Sequence, residues 1–346
     1  MKFPILNGQI ILDSDVILKH AHIEHDDPVF VGGTLIEGNG SELSDIDCYV
    51  ITKAHRTFAQ VGNETHAFCQ QRNQDMCHAD TDLVCRTTDF YDGTDLHLEF
   101  EYWTVEELDR LKAKILRVYN SLMSHCDSNY LEEGISRAEG LLIHRIISGI
   151  QLNGDMTAVQ SSISSVAEQY GYILYRSFAN NYWIFQDLVG SIIKGKPHMI
   201  CHHAKIFLGY ELKACNFAHG VTNNADKWIL HYFNDDALSV SQELKREATK
   251  LYLTANLDSP LSYVQEVLSV VERMRSSSTK TIELSATGLS SQVCLDMLDA
   301  ERERRNVTEW SIEDHELQFR RSSFSESKNQ LAKLLPSCWP GFKTRE

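Results

Sequence analysis

The sequence predicts an α+β fold, with a small mixed β-sheet domain at the N-terminus followed by an all-α helical-bundle domain. Residues 45–52 and 96–103 alternate apolar and polar side chains with the period of two that is typical of strands. At Thr104 the apolar period lengthens to that of a helix, and Thr104 with Glu107 forms a capping box, which marks a helix start. We therefore expect domains at residues 1–103 and 104–275, with a C-terminal helical extension and tail at 276–346.

The first 103 residues carry signals for one short helix and four strands. Asp13 or Ser14 can cap the helix, because a short oxygen-bearing side chain accepts hydrogen bonds from the first free backbone N–H groups. Asp92-Gly93 is a common turn of β-hairpins, so the last two strands are expected to pair. The four predicted strands cover residues 29–33, 45–52, 83–88 and 96–103.

The remainder reads as helical. Pro260 is well placed to start a helix, because its missing N–H is not needed in the first turn. The serine- and threonine-rich residues 275–281 are expected to be a linker, with further helices beyond them. Besides the helix that starts at Thr104, helices are predicted over residues 136–151, 157–179, 182–194, 198–217, 224–233, 237–255 and 261–274.

Composition limits the partners and the location. The formal net charge is −15, which repels phosphate backbones, so nucleic-acid binding is not expected. No run of about 18 apolar residues exists, so no membrane span is expected, and the N-terminus lacks the pattern of a cleaved signal peptide. The nine cysteines contain no CxxC pair, which favours a reducing, cytoplasmic location over a disulfide framework. The oligomeric state is not readable from the sequence.

Residues 29–51 combine two features that suit phosphate chemistry. A short apolar strand ends in Gly32-Gly33, and glycine lets a backbone approach a phosphate closely while exposing its N–H groups. Asp45 and Asp47 follow on the next predicted strand, and residues two apart on a strand face the same side. Such a carboxylate pair can hold Mg²⁺ next to a substrate phosphate, and two ions can clamp the attacking and leaving oxygens of a displacement.

The segment Val31-Gly32-Gly33-Thr34, followed by Ser44-Asp45-Ile46-Asp47-Cys48, resembles the signature of the polymerase-β-like nucleotidyltransferase superfamily. The order of the two domains resembles the layout of kanamycin nucleotidyltransferase, with the nucleotidyltransferase domain first. The resemblance implies Mg²⁺-dependent transfer of a nucleoside monophosphate from a nucleoside triphosphate, such as ATP, to an acceptor hydroxyl, with release of pyrophosphate. Two Mg²⁺ ions are implied as cofactors.

The resemblance also implies roles for single residues. Asp45 and Asp47 would bind metal, while Gly32 and Gly33 would cradle the triphosphate. A hydroxyl from Thr34 or Ser44 would touch phosphate, and a lysine of the helical domain, Lys227, would meet the phosphates.

The superfamily takes a third carboxylate from a neighbouring strand, and residues 96–103 leave two choices. Glu99 and Glu101 share one face of that strand, and each lies between apolar residues. We favour Glu99 as the metal ligand, because it lies further from the strand end, and Glu101 as a residue at the rim that meets the acceptor.

The acceptor is not readable from the sequence. A small polycation such as an aminoglycoside-like antibiotic suits an acidic protein best, ahead of a protein hydroxyl or a second nucleotide. The alternative from a different functional class is a catalytically inert binding module, such as an antitoxin-like partner protein that keeps the fold.

Overall fold

The computed structural model describes residues 1–5, 8–61, 66–68, 83–84, 86–124, 133–285, 288–324 and 329–342. Within them the protein has a small N-terminal mixed sheet and a mostly helical remainder, so the predicted α+β class is confirmed. The chain divides into two compact units, residues 1–116 with 135–167, and residues 117–134 with 168–346. The domain bounds expected from the sequence stay a prediction.

The first unit is built on a six-stranded sheet with the order β10-β3-β4-β9-β8-β6. Strands β4 and β9 run parallel, and every other neighbouring pair in this sheet is antiparallel, which makes the sheet mixed. The strands are β3 (Val29–Gly32), β4 (Ile46–Thr52), β6 (His66–Phe68), β8 (Arg86–Phe90), β9 (His97–Thr104) and β10 (Ile150–Asn153).

The two faces of the sheet differ in chemistry. Alternate residues of β3, β4 and β9 enter the apolar core of the unit, with members such as Val31, Cys48 and Phe100 fully buried. The intervening residues, which include Asp47 and Glu99, lie on the opposite face. This polar face is the part of the fold that carries the candidate site.

Several predicted elements are confirmed that lie in this unit or begin in it. Asp13 caps α1 (Ser14–Lys19) by accepting a hydrogen bond from the Asp15 N–H. Strands β8 and β9 form the predicted hairpin, with Gly93 at φ +73° in the turn, although residue 85 of the predicted strand lies outside the described residues. Thr104 and Glu107 cap α3 (Val105–Ser124) through reciprocal hydrogen bonds.

The other elements of the unit are short. Two further sheets have two strands each, and the helix α4 packs beside β3. These elements are β1 (Lys2–Ile5), β2 (Ile10–Asp13), β5 (Arg56–Thr57), β7 (Leu83–Val84), α2 (Phe58–Val61), α4 (Arg137–Ser148) and α5 (Thr157–Ser164).

The helix predicted over 136–151 is too long, and the one predicted over 157–179 is two helices. Helix α4 ends at Ser148, and residues 150–153 form the edge strand β10, which pairs with β3. Gly149 makes this possible, because a Cβ there would collide with Phe30 and with the Val31 carbonyl, so only glycine brings the chain this close to β3.

The second unit is helical and has its own core. Helix α8 packs against α7, α10 and α11, and aromatic residues of the last segments, such as Phe319 and Trp339, enter the same core. The helices are α6 (Ala167–Ala179), α7 (Tyr182–Lys194), α8 (Pro197–Ala218), α9 (Ile229–Phe233), α10 (Gln242–Leu253), α11 (Pro260–Leu284), α12 (Ser291–Arg304) and α13 (Ile312–Arg321), with short 3₁₀ helices at Asp226–Trp228, Ala332–Leu334 and Pro340–Phe342.

The linker predicted at residues 275–281 is wrong, because these residues continue α11. Arg275 is buried and forms an ion pair with Glu211, so the segment is held by packing. The Ser278 hydroxyl donates to the Met274 carbonyl one turn earlier, which satisfies a group that otherwise favours loops.

Among the described helices, none is both long enough and apolar enough to cross a membrane.

Candidate metal and phosphate site

The glycine pair lies beside the second aspartate of the sequence motif. Gly32, the last residue of β3, is the register partner of Asp47 on β4. Gly33 follows with φ +96°, and a Cβ built on it would overlap the Asp47 carboxylate oxygen Oδ2. Only glycine therefore admits the Asp47 side chain at this position.

Asp47 faces a second carboxylate across the parallel strands. Its register partner on β9 is Glu99, and neighbouring strands lie about 4.8 Å apart. Glu101 is instead paired with Tyr49, and its Oε2 accepts a hydrogen bond of 3.2 Å from the indole N–H of Trp103. Of the two glutamates, Glu99 is thus the one that lies directly beside Asp47.

Three other predicted residues lie around this pair without joining it. Asp45 precedes the first residue of β4, and its side chain is exposed. The Ser44 hydroxyl accepts a hydrogen bond of 3.0 Å from the Ser41 N–H, and Thr34 is buried beside the glycines. Asp45 is therefore placed to meet a ligand from solvent.

Two arginines that the sequence reasoning missed neutralise the facing carboxylates. Arg86 on β8 forms an ion pair with Glu99. Arg145 on α4 has its Nη2 atom 3.6 Å from Asp47 Oδ2. The predicted hairpin could have pointed to Arg86, because β8 runs beside β9, whereas nothing local in the sequence places Arg145 near Asp47.

The side chain of Arg145 packs against Gly32. A Cβ on Gly32 would lie 2.7 Å from Arg145 Cδ, so the first glycine of the pair also has a packing role. The guanidinium forms its close ion pair with Glu37, in the turn that follows the glycines. Glu37 Oε1 also lies 3.2 Å from the His144 Nε2 atom.

The electrostatics of this face follow from burial and from its carboxylates. Burial, Glu101 and Asp47 raise the pKa of Tyr49, so its hydroxyl stays protonated. Burial opposes the charge on Arg145, but Tyr49, Asp47 and Glu37 outweigh it and raise the pKa of the guanidinium. The face therefore keeps a permanent cation between carboxylates.

The donor set fits Mg²⁺ in its chemistry. In the part of the chain that the structure describes, no three His, Cys, Asp or Glu side chains lie close enough to hold a metal ion by themselves. Mg²⁺, however, is typically bound by one or two carboxylates together with substrate phosphates and waters. Asp47 and Glu99 each provide such a carboxylate. Asp45, the residue just before β4, is a third carboxylate nearby in the chain.

The second unit contains Lys227 and a cavity. Lys227 Nζ lies 5.2 Å from the centroid of the Trp228 ring, in the short 3₁₀ helix before α9, and its role at phosphate stays a prediction. The cavity of about 380 Å³ lies among α12, α13 and the C-terminal segment, with Trp310, Trp339 and the Arg302–Asp314 ion pair in its walls. We place the candidate site at the carboxylates, because the cavity shares no residue with the motif.

The protein matches no family model, and no curated protein shows significant sequence similarity to it.

Proposed function

We propose that the protein is a nucleotidyltransferase of the polymerase-β-like type, which uses Mg²⁺ to transfer a nucleoside monophosphate from a nucleoside triphosphate to an acceptor hydroxyl. One observation carries the proposal. The Asp47 side chain lies against Gly33, where any residue other than glycine would overlap its carboxylate. On its other side is Glu99, its register partner on the parallel strand β9. A carboxylate pair beside a glycine turn is an arrangement that suits a metal-bound phosphate.

In this proposal the glycines bind phosphate and the carboxylates bind metal. The backbone of Gly32 and Gly33 would approach the triphosphate. Asp47 and Glu99, with Asp45 just before β4, would hold Mg²⁺ together with phosphate oxygens and waters. The metal, when bound, supplies positive charge that stabilises the charge developing on the phosphate oxygens. Positioning the acceptor hydroxyl in line with the leaving group is the protein's main contribution.

The transfer is a displacement at the α-phosphorus of the nucleoside triphosphate. The acceptor oxygen attacks the α-phosphorus, and the bond from that phosphorus to the oxygen bridging to the β-phosphorus breaks. Pyrophosphate leaves with the electron pair of that bond. The acceptor proton passes to a carboxylate, for which Glu99 and Glu101 are the candidates.

A polycationic small molecule is the acceptor that we favour. The net charge of −15 attracts cations and repels phosphate backbones, so RNA is the least suitable acceptor. A protein hydroxyl and a second nucleotide are further acceptor classes for the assay.

One observation favours the alternative of a catalytically inert binding module. Arg86 pairs with Glu99 and Arg145 approaches Asp47, so the carboxylates are neutralised by the protein itself. A module that has no use for metal would be stable in this form.

The test is transfer of a labelled nucleotide. The protein is incubated with Mg²⁺, labelled ATP, GTP, CTP or UTP, and aminoglycosides, protein or nucleotides as acceptors, and pyrophosphate release is measured. We expect metal-dependent transfer that Asp45→Asn and Asp47→Asn abolish with little loss of thermal stability. Asp109→Asn, an exposed carboxylate on α3, is the control and should leave turnover unchanged. Pyrophosphate release at the wild-type rate in Asp47→Asn would overturn the assignment, and its absence with every substrate pair would favour the inert module.

A further inference from the structure

Arg145 is shared unequally between two carboxylates. Its Nη1 atom is in close contact with Glu37 Oε1, whereas its Nη2 atom stays 3.6 Å from Asp47 Oδ2. A guanidinium presents its donors in a rigid fork, so the carboxylate that it contacts most closely fixes its orientation. Glu37 is therefore the carboxylate with the strongest influence on where the charge of Arg145 points, beside Tyr49, which also interacts with the guanidinium.

Glu37 is itself held in place from two sides. Its backbone N–H donates to the Gly33 carbonyl at 2.9 Å, which closes the turn after the glycine pair. Its carboxylate oxygen lies 3.2 Å from His144 Nε2 on α4. The Glu37 side chain is only 12% exposed, so these contacts are made with little competition from water.

The buried guanidinium of Arg145 requires a nearby anion in any orientation of the side chain. Its side chain is 8% exposed, and a buried guanidinium without a partner is strongly unfavourable. If Glu37 lost its charge, the nearest carboxylate left to Arg145 would be Asp47. An arginine held on Asp47 would compete with a metal ion for the same oxygens.

We propose that Glu37 is a positioning residue that holds Arg145 back from closer contact with Asp47 and so lets a metal ion compete for the Asp47 carboxylate. The inference rests on the proposed function, because it assumes that Asp47 binds the ion. It adds a role for the turn after the glycines, which carries the anion that controls Arg145. Glu37 touches neither metal nor substrate in this scheme.

The test is the affinity for Mn²⁺ alone, measured by electron paramagnetic resonance of the free ion. Glu37→Gln keeps the shape of the side chain and removes its charge, and should weaken Mn²⁺ binding by about 10- to 100-fold, as is typical when a group behind a metal ligand is lost. In the double variant Glu37→Gln/Arg145→Met, the competing cation is gone and the affinity should return to that of Arg145→Met alone. A purely structural role for Glu37 predicts the opposite, because the double variant would then bind as weakly as Glu37→Gln or more weakly.

The outcomes separate the two proposals. If wild type and Asp47→Asn bind Mn²⁺ equally, the proposed function fails before Glu37 is tested. If wild type binds through Asp47 but Glu37→Gln is unchanged, or the double variant is not restored, only the role of Glu37 is overturned. Should Glu37→Gln not fold, Glu37→Asp, which withdraws the carboxylate by one methylene and keeps its charge, should still weaken binding, and unchanged binding there overturns the inference.

Discussion

At the scale of single residues, Gly32 and Gly33 each make room for a different side chain. Gly33 admits Asp47, and Gly32 admits the aliphatic part of Arg145. The sequence motif suggests that glycine is needed to let a phosphate approach. In the structure glycine is needed even without a ligand, because a Cβ at either position would meet a charged side chain. A glycine pair in such a motif thus serves the packing of the charged side chains, in addition to the approach of a substrate that we propose.

Gly33→Ala should weaken ligand binding, and Gly38→Ala is its matched control. Both glycines have positive φ, +96° and +77°, so both substitutions carry a backbone cost of about 1–2 kcal/mol. Only at Gly33 does the new Cβ meet Asp47, whereas the space at Gly38 is open. Thermal denaturation should therefore show a loss in both variants, while Mn²⁺ and ATP affinity should fall in Gly33→Ala alone. Equal affinities in the two variants would contradict this role of Gly33.

Glu99 and Glu101 should rank differently in turnover. Glu99 lies beside Asp47, so Glu99→Gln should lower turnover by about a hundredfold or more, as expected for a lost metal ligand or base. Glu101→Gln should cost less and act mainly on the KM of the acceptor, because Glu101 is paired with Tyr49 further along β9. Steady-state kinetics of both variants provide the measurement, and the reverse ranking would show that the other glutamate is the ligand.

At the scale of elements, the sequence correctly predicted the helix caps and the hairpin turn, which depend on residues close together in the chain. The cap of α1 at Asp13, the cap of α3 at Thr104 and the hairpin turn at Gly93 are all present. The errors arose where tertiary contacts override propensity. The serines and threonines of 275–281 continue α11 because Arg275 anchors the segment to Glu211, and the chain after Gly149 joins the sheet because β3 offers it an edge.

Helix α13 should make the protein sensitive to acid through His315. Its Nε2–H donates to the Leu334 carbonyl, so its Nδ1 accepts the hydrogen bond of 2.6 Å from the Tyr182 hydroxyl, and the ring is neutral. Burial lowers the pKa of His315 below the usual 6.5. The unfolded chain therefore binds the proton more readily than the folded protein does. The contribution of His315 to the free energy of unfolding is fully present above pH about 6.5. It falls as the pH drops from there through the folded pKa, by at most about 1.4 kcal/mol per pH unit.

Urea unfolding of His315→Gln between pH 8 and pH 5 measures this contribution. The variant should be less stable at pH 8 but lose less stability on acidification than the wild type. His198→Gln, at an exposed position of α8, should keep the wild-type dependence. An unchanged slope in His315→Gln would assign the acid sensitivity to other groups, of which His22 and His219 also have a pKa lowered by burial.

At the scale of the whole molecule, the net charge of −15 should act on the acceptor over a distance. The Debye length shortens from about 30 Å at 0.01 M salt to about 8 Å at 0.15 M, so the attraction of a polycation is screened. The KM for an aminoglycoside acceptor should therefore rise with added salt. The KM for ATP should stay level or fall, because the same field repels an anionic nucleotide. An acceptor KM that does not change with salt would argue against a polycation.

The sequence by itself determined the α+β class, the strands that carry the glycines and the carboxylates, and the ends of several helices. Each of these depends on side-chain periodicity, capping or turn chemistry within a few residues. Only the tertiary structure decided which charges meet: Glu99 rather than Glu101 beside Asp47, Arg86 on Glu99, and Arg145 between Glu37 and Asp47. Those contacts depend on strand register and on how α4 packs against β3, and no local pattern in the chain encodes the distance between residues 47 and 145.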